Sequence, residues 1–281
     1  MNFPEEPGRN ENDRPGTTDL PPASPVNSQR VWIVALAAVV VLAVVAVATW
    51  LVLPDKSRGA SAGITGETVK QVLLDGTELT NMLDQPFTTV TGPPAYGGLE
   101  AMDDSSAPGE CVGVVDVAPK SVYASADVQS YARETWIDSE PNRDGFKPLD
   151  TRVMFVKEAV VALPSAADAR ALFAKFAEQW KRCDGHPVNA ADPDSDGPPH
   201  LHGTEMHITD VRVTDDVLAA SIVLDKSPKA PDTRAIGVQG NCIVGVLIAF
   251  TGTENATGSG DPQTSSIEAV QAMMDKVTKL G

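Results

Sequence analysis

The sequence predicts an α+β domain, an antiparallel sheet with flanking helices, preceded by one apolar span. Three observations carry this reading. Several segments alternate as strands do, and two of them are joined by a Gly-Asn pair suited to a tight turn. Two stretches show the apolar spacing of amphipathic helices. Near the N-terminus lies a long run without a single charge.

Taken in chain order, Met1–Arg30 is rich in Pro, Asn, Ser and Thr and almost free of apolar residues. It cannot bury enough surface to offset the entropy of ordering, so it reads as a disordered tail. Val31–Leu53 contains twenty-three uncharged residues. As a helix it would be about 35 Å long, enough to cross a bilayer. Trp32 and Trp50 lie near its ends, as interfacial indoles do. Arg9, Arg14 and Arg30 before the span, against Lys56 and Arg58 after it, favour a cytoplasmic tail and an exported C-terminal part. A cleaved signal peptide is the rival reading, since Ala60-Ser61-Ala62 has the form of a cleavage site, but the apolar run is longer than such peptides carry. Residues 54–66 read as a linker and 67–281 as one extracytoplasmic domain, large enough to bury a core.

Within the domain, Thr68–Met82 has helical spacing interrupted at Gly76, and Gln85–Leu99 reads as a loop. Cys111–Val117 and Val153–Leu163 have strand composition, and Ser125–Trp136 between them fits a helix with Val128, Tyr131, Ala132 and Trp136 on one side. Ser165 caps the best-marked helix, which reaches Arg182 with Ala169, Leu172, Phe173, Phe176 and Trp180 as its buried stripe. Asp184–Gly203 is a polar loop, and Glu205–Val213 and Val217–Leu224 alternate as strands. Ala235–Gln239 and Cys242–Phe250 form a hairpin about Gly240-Asn241, in which opposed residue numbers sum to 481. Asp261 caps a last helix with Pro262 at its first position and Ile267, Val270, Met274, Val277 and Leu280 on its apolar face.

The chain carries a net charge of −16, of which the tail contributes −2. An exported part at −14 repels nucleic acid, and no basic stripe with stacking aromatics is present, so nucleic-acid binding is excluded. Three cysteines in an oxidising compartment suggest one disulfide and one odd thiol.

The stretches GECVGVV (109–115) followed by VYAS, VVALPSAADARALFAKFAEQWKRC (160–183) and TRAIGVQGNCIVGV (233–246), with the closing helix, together resemble the PknH-like extracellular domain family, named for the sensor portion of a mycobacterial receptor kinase. The resemblance implies an α+β extracytoplasmic sensor domain with a cleft that receives a ligand. The family usually shows four cysteines. Two match Cys111 and Cys183; the other two fall at Asp232 and Ala249, which the 481 register places opposite each other. On that resemblance, one cross-strand bridge is lost, Cys111 pairs with Cys183, and Cys242 is a free thiol. Thirty tail residues cannot fold as a kinase, so any inward signal would pass through a membrane-protein partner.

Other candidate chemistry reads as ordinary surface. Gly59, Ser61 and Gly63 fit the serine-hydrolase pattern but lack its strand and helix. His200, His202, Glu205 and His207 lie close in sequence without a fixed metal motif. The pairs Asp103/Asp104 and Asp215/Asp216 sit in turn-like acidic surroundings, and Asn255 heads a glycosylation triplet in a loop. The sequence thus predicts no catalytic residue, no metal and no cofactor. It favours a sensor that binds a small molecule or a cell-envelope component, ahead of a protein-interaction or structural role and of an envelope hydrolase.

Overall fold

The structure, a computed structural model, describes residues 63–90, 92–105, 109–139, 152–189, 205–225, 227–252 and 256–281. The predicted tail 1–30, the span 31–53, Ser61, His200, His202 and Asn255 lie outside the described residues. Among those described, no helix is long and apolar enough to cross a membrane.

A nine-stranded antiparallel sheet organises the domain, with strands β1 (Phe87–Thr89), β2 (Ala95–Gly97), β3 (Ser130–Asp138), β4 (Val153–Ala162), β5 (Pro187–Asn189), β6 (Glu205–Val213), β7 (Val217–Leu224), β8 (Ser227–Gln239) and β9 (Cys242–Phe250). They run in the order β1-β3-β4-β9-β8-β7-β6-β5, and β2 also pairs with β3. Helices cover both faces. On one lie a 3₁₀ helix (Gly66–Val72), α1 (Gly76–Leu83) and the C-terminal α5 (Ser265–Leu280); on the other lie the one-turn helices α2 (Val112–Val115) and α3 (Lys120–Tyr123) and the long α4 (Ala166–Cys183). Coverage on both sides explains the near-continuous apolar runs of β4, β7 and β9: alternate residues feed different cores. Val160 and Val244 join the α5 core, Val161 and Ile243 the α4 core.

The hairpin has the predicted register, from Gln239↔Cys242 out to Asp232↔Ala249. Gly240 takes a positive φ of 54°, which suits the first central position of a II′ turn. Asn241 beside it is buried, and its side chain accepts from Ile64 N–H at 2.9 Å and donates to the carbonyls of Ile64 at 2.9 Å and Leu163 at 2.8 Å. α4 starts as predicted, with the Ser165 hydroxyl accepting from Asp168 N–H, and all five residues of its predicted stripe are buried. The N-terminal region splits at Gly76 into two elements, α1 opening on a capping box between Asp75 and Glu78.

Two predicted elements differ. Within residues 111–117, Val112–Val115 form the one-turn helix α2 rather than a strand. A short apolar run fits either element, and packing decided: Val112, Gly113 and Val114 are all buried, and the segment is tied to α4 by the Cys111–Cys183 disulfide. Conversely, the helix expected over Ser125–Trp136 is strand β3. Its apolar residues serve two faces, Ala132 and Trp136 reaching the α5 core and Tyr131 the α4 core, a period of two that resembles a helical stripe when both sides are buried. Smaller differences follow. The expected loop 85–99 contains β1 and β2. The last helix begins at Ser265 after a turn in which Asp261 Oδ1 accepts from Gln263 N–H at 2.8 Å. Its buried face centres on Ala269, Val270, Met273 and Val277, leaving Leu280 exposed.

Candidate ligand groove

Along α4, Leu172, Lys175, Phe176, Gln179 and Arg182 recur at helical spacing and face α2 and α3 across a groove. Gly109, Val112, Ser121, Val122 and Ser125 form its other wall, and it encloses about 390 Å³. Leu172, Val112 and Phe176 are buried, while Lys175 and Arg182 stand exposed at the mouth. The groove is held together at one end by the disulfide, whose Cα atoms are 5.7 Å apart, and by a hydrogen bond from the Gln179 amide to Glu110 O.

Val122 and Phe176 also line a narrow crevice below, too tight to admit water, which ends on Tyr123, Trp180 and Arg234. Arg234 extends from the middle of β8 and is 1% exposed. Its guanidinium donates to the carbonyls of Ala235, Val246 (2.9 Å) and Asp116 (3.3 Å) and lies 5.9 Å from the Trp180 ring. Room for it comes from Gly245 on the neighbouring strand, where a Cβ would sit 3.0 Å from both terminal nitrogens. No ion pair joins Arg234 to a carboxylate among the described residues. Burial pulls its pKa down to about 10, opposed by Tyr123 and Asp116. In the same crevice the buried Trp180 contributes an Nε1–H without a hydrogen-bond partner. Such an orphaned donor costs roughly 1–3 kcal/mol. Ala118, on the crevice wall, holds a left-handed φ of 50°, another unfavourable feature at the same place.

The candidates read from the sequence fall elsewhere or have plain partners. Asp103 pairs with Arg133 at 2.5 Å, and Asp216 accepts from the Thr214 hydroxyl in the β6–β7 turn. Cys111 and Cys183 form the disulfide. Cys242 is a buried thiol facing the α5 core, and burial pushes its pKa up to about 12, so it is no ready nucleophile. Glu205 and His207 come together with Asp225, a residue outside every motif of the sequence analysis.

A chain with this sheet, these two helical layers and this groove can be set beside known proteins. The model of the PknH-like extracellular domain matches residues 64–276. The chain belongs to that family. The serine/threonine-protein kinase PknH of Mycobacterium tuberculosis is 30% identical over 161 residues, in two strains. The match takes in 55% of this chain and 23% of the kinase, so it spans less than a quarter of that protein's length. The crystal structure of the extracellular domain of that kinase has a similar fold, with a TM-score of 0.61 at 20% identity, over 77% of this chain and 98% of the other.

Proposed function

We propose that the domain is an extracytoplasmic sensor, anchored by Val31–Leu53, that holds a small acidic ligand, free or as a group of an envelope component, in the groove between α2–α3 and α4. The observation that carries this reading is the pair Lys175 and Arg182, exposed on one side of α4 at the mouth of a groove with the apolar walls Leu172, Val112 and Phe176; behind that wall the buried Arg234 has no carboxylate partner, and the Trp180 N–H no partner, among the described residues. Two exposed cations on the groove, with the buried Arg234 behind its wall, stand out on a protein of net charge −16 and favour an anionic guest over a neutral one. The apolar walls, Leu172, Val122 and Phe176, would contact the rest of the ligand, as in most small-molecule sites. Membership in an extracellular domain family supports the outward placement.

The test is native mass spectrometry of the full chain purified from its own membrane, beside K175E/R182E. Both substituted side chains are exposed, so the fold should be kept. The wild-type chain should carry an adduct that the variant lacks, with at least a tenfold loss of affinity, about 1.4 kcal/mol, once the adduct is identified. A wild-type chain without adduct, or an adduct kept by the variant, would refute the groove. For the anchor, an alkaline phosphatase fused to the C-terminus should be active; an inactive fusion beside a fluorescent cytoplasmic reporter at the same position would reverse the topology.

A further inference from the structure

At the far edge of the sheet, β6 and β7 pair with Met206 opposite Leu224 and His207 opposite Val223. Continuing that register sets Glu205 opposite Asp225, whose N–H donates to Glu205 O at 3.0 Å. Glu205 and His207, two apart on one strand, share a face, away from the buried Met206 and Ile208. The result is two carboxylates directly opposed on adjacent strands, an arrangement that is destabilising by itself. Both reach the same imidazole nitrogen: His207 Nε2 lies 2.9 Å from Asp225 Oδ1 and 3.3 Å from Glu205 Oε1. That nitrogen carries at most one N–H and cannot serve two carboxylates well. A single centre of positive charge among the three atoms would satisfy all of them.

We propose that Glu205, His207 and Asp225 bind a divalent transition cation of the zinc class. The three ligand atoms already lie within 4.8 Å of one another. With bonds near 2.0–2.1 Å to nitrogen and oxygen, tetrahedral geometry places donors about 3.4 Å apart; the two distances from Nε2, 2.9 and 3.3 Å, are already close to that, and rotation of the two exposed carboxylates would set the third. One imidazole with two carboxylates suits zinc and its neighbours better than magnesium or calcium, which take oxygen ligands alone. Three protein ligands leave a fourth position to water, and the partial exposure of all three side chains gives the ion a path in from solvent. The ion would cross-link the start of β6 to the end of β7 and remove the repulsion between the opposed carboxylates.

The full chain, stripped of metal and titrated with Zn²⁺ by calorimetry in a non-coordinating buffer, should bind one equivalent tightly enough to raise the thermal midpoint. H207A and D225N should each weaken that binding at least tenfold, with E205Q as a third variant should either fold poorly. H200A/H202A should leave it unchanged, and magnesium at the same concentration should give no shift. Absence of a zinc isotherm would leave an ion pair at His207 and end the proposal. Binding unaffected by H207A and D225N, or lost only in H200A/H202A, would equally overturn it.

Discussion

The two faces of the sheet each bury one ionisable side chain beside a tryptophan, and they treat it differently. On the α5 face, Glu158 in the middle of β4 is fully buried and accepts from Leu74 N–H and Trp136 Nε1–H, both at 2.9 Å. On the α4 face, Arg234 in the middle of β8 has carbonyl partners and the flat side of Trp180, whose own N–H is left unserved. The acid joins the sheet to the N-terminal 3₁₀ segment and closes that face. The base lies in a crevice that shares the wall residues Val122 and Phe176 with the groove. A buried ionisable group whose partners are all satisfied is a structural joint, whereas Arg234 shares its site with an orphaned donor and leaves that face less completely closed.

The largest test of the contrast is the tether on the open face. The disulfide spans 72 residues of sequence, so C111S/C183S should lose about 4 kcal/mol of stability in urea unfolding. Hydrogen exchange should rise first in α2 and α4 while the 3₁₀ helix and α5 stay protected; uniform loss of protection would mean that the two faces are equally dependent on the bridge. Next in size is the closed face. Glu158→Ala leaves two buried donors without an acceptor and should cost about 3 kcal/mol, while Glu158→Gln, which can serve only one of them, should cost roughly half of that.

Glu158 also sets a pH dependence with a definite sign. Burial raises its pKa from 4.5 to about 8, against the Leu74 and Trp136 hydrogen bonds and Lys276, with Glu134 opposite it on β3 adding to the rise. Asp232, on the α4 face, is raised likewise from 3.8 to about 7 by burial, with Lys157 opposing. A raised carboxyl pKa means that the folded state binds more protons than the unfolded one between the two values. Stability therefore falls as pH rises from about 4 to about 8, and is greatest below that window as far as these two groups decide it. Urea midpoints across the range should show this slope, and Glu158→Gln should flatten its upper part. A slope unchanged in that variant would assign the effect to other groups.

The smallest effect concerns the space behind Arg234. Gly245→Val places carbon against the guanidinium and should cost about 2 kcal/mol by overpacking. Loss of the groove adduct in this variant, with the melting midpoint lowered by no more than that cost implies, would be the clearest separation of the two faces. An adduct that survives displacement of Arg234 would confine recognition to Lys175 and Arg182.

Much of the fold is legible where the chain obeys one periodicity at a time. The bounds of β6, β7 and β9, the buried stripe of α4 and the hairpin register all agree with the alternation and the turn residues. β3 and α2 depart from their expected types because burial on every side removes the polar half of the pattern, and what remains fits either period. The groove is less visible. Lys175, Gln179 and Arg182 look like any solvated helix face, and only the fold of residues 109–125 across them makes a wall. Arg234 and Glu158 do leave a signal: each is an ionisable residue followed directly by an apolar run of its strand, Ala159–Ala162 and Ala235–Val238, and Arg234 lies near a glycine on the next strand. Asp225 becomes visible once the β6–β7 pairing is extended one residue beyond Met206↔Leu224.

The buried Asn241 has a mechanical consequence. It grips Ile64 through both its N–H and its carbonyl, and a Cβ on Gly63 would lie 2.6 Å from the Asn241 side chain, so the backbone passes the hairpin tip at close quarters. A force that reaches Gly63 therefore meets the hairpin tip directly. It would load the two amide contacts at Asn241 together and pass into β9, which sits between β4 and β8 in the sheet. Ile64 is thus held to a central strand of the sheet that carries Arg234 on one side and Glu158 on the other.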